Sequence, residues 1–342
     1  MNNSSAAIPP NTRIQNTDVL EKSIRSVDKK LLDILLSDRT THKNILWATR
    51  DYENLGVGFE ENAQILPPLV TGPWANLIQP RITKSISAQE DRTRDKAEVF
   101  TPSWICNKQN NLVDEEWFRR KDVFNRETGS TWETIREPIS FDGARRDWKK
   151  YVDARRLEIS CGEAPYLVSR YDAVTGQKIP LGERVGLLDR KMRVVRENTE
   201  TDEEWLFWSQ RAYESVYGYE YQGDSLLLAR ENLLYSYIEY YNERFDGLPS
   251  VGQLKKIARI ISWNIWQMDG LKYIVPGSCT PEPEAPQLSL FTEDENSAED
   301  TRRMCRGCAR GDIYAHTGIY CRIKDWRSKC SRTFISMMKE GK

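Results

Sequence analysis

Histidine is almost missing from this chain: His42 and His316 are the only two in 342 residues. Neither belongs to a His-Glu-x-x-His pair, and no Gly-x-Ser-x-Gly elbow occurs, which argues against histidine-based hydrolysis. Long apolar runs are also absent, none approaching the roughly 20 residues of a membrane span. Met1 is followed by polar residues, not by the apolar core of a signal peptide. The seven cysteines are scattered, so no disulfide framework is expected, and a reduced, cytoplasmic setting is. Excess charge is lacking too, with a net of -1. That balance hides a division: Glu282 to Asp300 carries only acidic charges, whereas Arg302 to Lys342 is strongly basic. There is no repeat of the solenoid kind.

What the chain does contain is alternation. The first dozen residues are small, polar and proline-bearing, as in a disordered lead-in. Asp18 to Ser37 has helical apolar spacing from Val19 to Leu35 and reads as one packing helix. Little chemistry is legible between Lys43 and Gln79. From Leu157 onward, short β-branched or aromatic runs (Leu157–Ser160, Val216–Tyr221, Ser262–Met268) are separated by amphipathic segments (Asp202–Ser215, Ser225–Phe245, Val251–Ile261). Strands alternating with helices predict an α/β fold with a mainly parallel sheet. A linker rich in Pro, Glu and Asp follows, then a short Cys- and Arg-rich tail.

Each run is followed by chemistry. Glu158 sits in the first and leads into Cys161-Gly162-Glu163-Ala164-Pro165-Tyr166-Leu167, a glycine-bearing turn where backbone amides can approach a nucleotide-like ligand at the carboxyl edge of a parallel sheet. Glu220 ends the second, where a carboxylate is suited to accept from two ribose hydroxyls. Asp269 follows the third and is suited to the exocyclic amine of an adenine ring. Upstream lies Phe100-Thr101-Pro102. Cys161 belongs to the turn and is not read as a nucleophile.

In this order the motifs resemble those of the N6-adenine DNA methyltransferases of bacterial restriction-modification systems. Glu158, Cys161-Gly162 and Tyr166-Leu167 match the family's Asp-Pro-x-Cys-Gly-x-Gly-x-Phe-Leu motif. Gly218-Tyr219-Glu220 and the Ala229-Arg230-Glu231-Asn232-Leu233 helix match its Gly-x-Glu element. Phe100-Thr101-Pro102 matches its aromatic-Thr-Pro motif, whose Thr bonds the methionine carboxylate of the cofactor. The resemblance spans about Arg92 to Leu271. It implies a Rossmann-like sandwich binding S-adenosylmethionine (AdoMet) through Phe100, Thr101, Pro102, Glu158, Cys161, Gly162, Tyr166, Glu220 and Asp269. Residues 1–90 then form a helical or irregular extension, 91–278 the methyltransferase domain, 279–301 an acidic linker and 302–342 the basic, Cys-rich tail.

The departures from the pattern carry as much information. Ala164 replaces the second glycine of the cofactor loop. The Asn-Pro-Pro-aromatic tetrapeptide, which grips the target amine and stacks on the flipped base, does not occur. Either a second subunit supplies it together with target recognition of double-stranded DNA, or a degenerate loop does so here, for which Asp325 as acceptor and Trp326 as stacking ring are the local candidates. A different class of function, a non-catalytic methyltransferase-like module that docks DNA or a partner, stays open. A nuclease subunit ranks below both, because no Pro-Asp-x-Lys-like arrangement is present.

Two further features lie near the end of the chain. Gln287, Leu288, Leu290 and Phe291 form an apolar island in the acidic linker, similar to the bacterial sliding-clamp-binding peptide. In the tail, Cys305 and Cys308, with His316, Cys321 and Cys330 beyond them, offer a Cys-x-x-Cys pair and later ligands that could hold a structural zinc; Cys305, Cys308, Cys321 and Cys330 are the set this reading favours, against free thiols. Basic residues interleave there with Tyr314, Tyr320 and Trp326, as phosphate contacts and base stacking would require. Lys149, Lys150, Arg155 and Arg156, with Arg145 and Arg146, offer a second basic surface.

Overall fold

The computed structural model describes residues 21–83, 101–141, 147–281 and 304–340. The single helix expected near the amino terminus is two, α1 (Glu21–Val27) and α2 (Lys29–Leu36). Asp28 interrupts it because its carboxylate accepts from the Lys30 amide at 2.8 Å, capping α2 in place of continuing α1. The next helix, α3 (Ser103–Phe118), leads into a hairpin of β1 (Asn125–Thr128) and β2 (Thr131–Thr134).

The alternating half then forms. A short helix α4 (Trp148–Asp153) precedes β3 (Arg156–Ile159); α5 (Leu187–Asn198) and α6 (Asp202–Glu214) lead to β4 (Val216–Glu220); α7 (Gly223–Phe245) and α8 (Val251–Asn264) lead to β5 (Ile265–Gln267). The three strands lie side by side in chain order, all parallel, as helical crossovers allow. The fold is thus mixed helix and sheet of the α/β kind. Ser262 to Asn264, expected to begin the third strand, finish α8 instead. α5 went unread in sequence because three charged residues of its buried face, Asp189, Arg190 and Lys191, broke the apolar pattern.

Side chains alternate across the sheet. Val216 and Ile265 face the main core, built mostly from α2 and α5 to α8. Tyr217, Tyr219, Trp266 and Met268 face the other way, into a second cluster with Val275, Cys321, Ile323 and Phe334. Most of that cover comes from the carboxyl-terminal segment, where α9 (Arg306–Arg310) is followed by the antiparallel hairpin β6 (Arg322–Asp325) and β7 (Cys330–Thr333) and by α10 (Phe334–Glu340); Ile323 and Phe334 of this segment join the cluster. No described helix is long and apolar enough to cross a membrane.

Candidate functional site

The strand register sets the carboxylates at staggered depths along one sheet edge. Glu158 pairs with Gly218, Glu220 pairs with Gln267, and Asp269 lies beyond β5. Each step of two residues is about 6.6 Å, so Glu158 is innermost and Asp269 outermost.

Glu158 is buried, accepts from the Tyr166 amide at 3.2 Å, and has its other oxygen, Oε2, sealed from solvent without a hydrogen-bond partner. Burial pushes its carboxyl well above the usual carboxylate range; the amides of Tyr166 and Leu167 oppose this and the nearby Glu220 charge adds to it. Glu220 holds the glycine turn directly, with Oε2 accepting from the Gly162 amide at 2.9 Å and Oε1 from the amides of Tyr221 and Gln222 at 2.8 and 3.2 Å.

The turn itself is left-handed twice, at Gly162 (φ 49°) and Ala164 (φ 64°). A Cβ on Gly162 would meet nothing within 4 Å, so the space in front of it is open. Ala164 therefore adopts the conformation that a glycine would take freely, at a cost of about 1–2 kcal/mol. Cys161 packs against Gly218, where a Cβ would come 3.0 Å from the Cys161 Cβ. Its thiol is pushed well up by burial and by the Glu158 and Glu220 charges, so it is a packing group and no nucleophile.

Thr101 and Pro102 stand beside this turn. The Tyr166 hydroxyl lies near the Thr101 and Cys106 side chains, the Cys106 thiol donates to the Thr101 carbonyl at 3.7 Å, and Cys106 lies within electrostatic reach of Glu158. The Ser103 amide, at the start of α3, donates to Asp172 at 2.7 Å, which ties the Thr-Pro segment to the loop following the glycine turn. Phe100 lies outside the described residues.

Sequence reasoning passed over the scaffold behind this edge. Asn232 donates to the Glu163 carbonyl at 3.0 Å and to the Tyr171 hydroxyl at 3.2 Å, and Tyr171 donates to Glu163 at 2.5 Å. Two residues earlier in α7, Arg230 is fully buried and donates to the carbonyls of Ile265 (2.8 Å), Ser37 (3.1 Å), Ser262 (3.4 Å) and Leu35. The Ala-Arg-x-Asn-Leu pattern was the available signal; its Arg anchors the sheet and its Asn the turn.

Asp269 is spent on its own loop. Oδ1 accepts from the Leu271 and Lys272 amides at 3.0 and 3.1 Å, and Oδ2 pairs with the Lys272 ammonium at 3.3 Å.

Asp325 and Trp326 do not join the edge. Asp325 pairs with Arg155 at 3.0 Å, just ahead of β3, and the Tyr217 hydroxyl at the start of β4 donates to the Lys324 carbonyl at 3.2 Å. Both contacts lie at the amino-terminal end of the strands, opposite to Glu158 and Glu220. Trp326 is held by its Nε1, which donates to Asn264 at 2.7 Å, and the Lys324 ammonium covers its ring at 4.4 Å. Strand direction is the reason for this correction: the hairpin lies across one sheet face near the amino-terminal strand ends, away from Glu158 and Glu220.

No protein-family model, no curated protein and no solved structure matches this chain.

The metal-ligand set also needs correction. Cys305 and Cys308 gather with Cys279 and His316, not with Cys321 and Cys330. The Cys279 and Cys305 sulfurs are 3.6 Å apart, Cys279 and Cys308 4.0 Å, and His316 Nδ1 lies 3.7, 3.5 and 3.6 Å from Cys279, Cys305 and Cys308. Cys321 is buried and donates to the Gln267 carbonyl at 3.3 Å, while Cys330 is exposed and donates to the Ser328 carbonyl. The tail turns at Thr317 and Gly318, bringing His316 back to the Cys-x-x-Cys turn and sending Cys321 under the sheet. Cys279 was read as the head of a linker because 26 positions separate it from Cys305. Gln287, Leu288, Leu290 and Phe291 lie outside the described residues, as do Arg145, Arg146, Arg302 and Arg303.

Proposed function

We propose that this chain is the AdoMet-binding subunit of an adenine-specific (N6) DNA methyltransferase, with a Rossmann-like half-sheet completed by a partner that carries the Asn-Pro-Pro-aromatic loop and target recognition. The observation that carries this reading is the grouping at one sheet edge of Thr101-Pro102, Glu158, the Cys161-Gly162 turn, Tyr166 and Glu220, from three separated stretches of sequence. A ligand of nucleoside character suits that edge. Gly162 opens onto free space, Glu158 lies buried behind the turn, and Glu220 stands at the next strand end.

The division between two chains is supported by β3. Among the described strands it is an outer strand of the parallel sheet, yet Leu157 and Ile159 remain 40% and 65% exposed. Parallel sheets are ordinarily covered on both faces and bordered by further strands. A cleft of about 210 Å³ adjoins that edge, floored by Leu157, Trp266 and Phe334 and rimmed by Arg155 and Arg332. Within this reading Glu158 and Glu220 orient the cofactor, the methyl group comes from the cofactor itself, and the amine acceptors belong to the partner.

A second reading, a methyltransferase-like module without catalysis, is favoured by one observation: Glu220 already satisfies the protein's own amides. Calorimetry with AdoMet, on the full chain and on its complex with the subunit encoded beside it, separates the two. The enzyme reading expects binding that Glu220→Ala weakens about tenfold or more, the worth of one or two charged hydrogen bonds. No AdoMet binding in either preparation sinks it.

The Cys279, Cys305, Cys308 and His316 group has four protein donors and no open position, which in this reading suits a structural zinc and no catalytic one.

A further inference from the structure

We infer that zinc held by Cys279, Cys305, Cys308 and His316 is the latch that fastens the carboxyl-terminal segment across the second face of the parallel sheet. The inference rests on the assignment of zinc to this group and is independent of the methyltransferase reading.

Geometry argues first for the metal. Zinc–sulfur bonds of about 2.3 Å and zinc–nitrogen bonds of about 2.0 Å in a tetrahedron set sulfurs about 3.8 Å apart and sulfur about 3.5 Å from nitrogen. The observed separations, 3.6 and 4.0 Å between sulfurs and 3.5 to 3.7 Å from sulfur to His316 Nδ1, fall on those values. A disulfide needs about 2.05 Å, far shorter than these contacts.

The surroundings are those of a thiolate site. The Cys308 amide donates to Cys305 Sγ at 3.4 Å, and the backbone of Thr317 and Gly318 lies near enough to Cys305 and Cys279 to favour their thiolates. Gly307 keeps the turn narrow, since a Cβ there would come 2.6 Å from the His316 nitrogen. Three thiolates and one zinc carry a net charge of -1, and the Lys272 ammonium lies within electrostatic reach of Cys279 and Cys308 to offset it. Zinc binding displaces the thiol protons to solvent.

The position of the ligands then decides the role. Cys279 belongs to the loop after β5, whereas the other three ligands precede β6. Immediately after the group, the chain pairs with that same loop: the Val275 amide donates to the Ile319 carbonyl at 2.9 Å and the Cys321 amide to the Tyr273 carbonyl at 3.0 Å. Ile323 and Phe334 follow and cover Tyr217, Tyr219 and Trp266. A two-stranded hairpin with four residues per strand is marginal alone. A metal that joins its lead-in to the β5 loop removes the chain entropy that would otherwise let it lift away.

The test uses the full chain purified without chelator. Metal analysis should find one zinc per chain, and exchange into Co2+ should produce the visible absorption of a tetrahedral thiolate site. Removing zinc with a chelator should speed hydrogen exchange in the peptide covering Cys321 to Phe334 by about tenfold or more, and added Zn2+ should restore protection. Cys308→Ser should lose zinc and protection together, His316→Cys should retain both, and Cys330→Ser should change neither. A wild-type chain that holds no zinc after incubation with Zn2+ and dialysis overturns the site. Zinc that leaves and returns without altering exchange in Cys321 to Phe334 overturns the latch while leaving the site, and neither result bears on AdoMet binding.

Discussion

Replacing Gly223 by alanine drives a methyl group into the backbone that backs the candidate cofactor edge. Its Cβ would lie 1.9 Å from the Leu46 carbonyl oxygen, 2.9 Å from that carbonyl carbon and 2.8 Å from Ile65 Cδ1. An ordinary carbon–oxygen contact is roughly 3.3 Å, so the backbone would have to retreat by about 1.4 Å. It is poorly placed to do so. Leu46 donates to Gln267 Oε1 at 2.8 Å, its carbonyl accepts from Gln267 Nε2 at 2.8 Å, and the Gly223 amide donates to the Trp47 carbonyl at 2.9 Å. Losing three hydrogen bonds worth about 1 kcal/mol each, offset by at most about 1 kcal/mol from the stiffer unfolded chain, gives a net loss of about 2–3 kcal/mol. At about 2–4 °C per kcal/mol, the melting temperature should fall by about 5–10 °C, read by thermal denaturation and by the urea midpoint. Gly252→Ala is the matched control: an exposed helical glycine whose added Cβ would meet only Ser250 Oγ, at 3.8 Å. It should stabilise by up to about 1 kcal/mol. A neutral Gly223→Ala would refute the packing of the Leu46–Trp47 segment against the start of α7.

Arg230→Lys should cost about 3 kcal/mol or more in urea denaturation, because a single ammonium cannot span the carbonyls of Leu35, Ser37, Ser262 and Ile265 and leaves buried acceptors bare; a loss under about 1 kcal/mol would contradict that anchor. Lys191 offers a pH signature. Burial, reinforced by the Arg156 charge, pulls its ammonium well below the ordinary 10.5. A group whose folded value is depressed gives stability that is present above its unfolded value and lost as pH falls through the folded one. Lys191 by itself therefore adds stability as pH rises toward 10.5, while the raised Glu158 carboxyl and Cys161 thiol remove stability as pH rises. Lys191→Met should make the slope of stability against pH more negative than in the parent chain, and an unchanged slope would exclude Lys191 as a contributor.

The sequence alone determined the alternation of helices and strands from Leu157 to Met268, because apolar period and β-branched content act locally and survive without a tertiary context. It also brought out the acids, the glycine turn and the Cys-x-x-Cys pair as chemistry-bearing residues. Tertiary structure decided which of them meet. Asp28 ended a helix that periodicity would have continued, because a capping hydrogen bond outweighed the apolar stripe. Buried charges in α5 hid a helix whose polar side chains need distant partners as well as local ones: Arg190 pairs with Asp114 at 2.6 Å, across 76 positions. Asp325 and Trp326 fell at the amino-terminal end of the strands, and Cys279 displaced Cys321 and Cys330 from the metal group. Spacing along a chain records neither strand direction nor where a long excursion returns, and those two properties fixed the candidate edge and the candidate metal group.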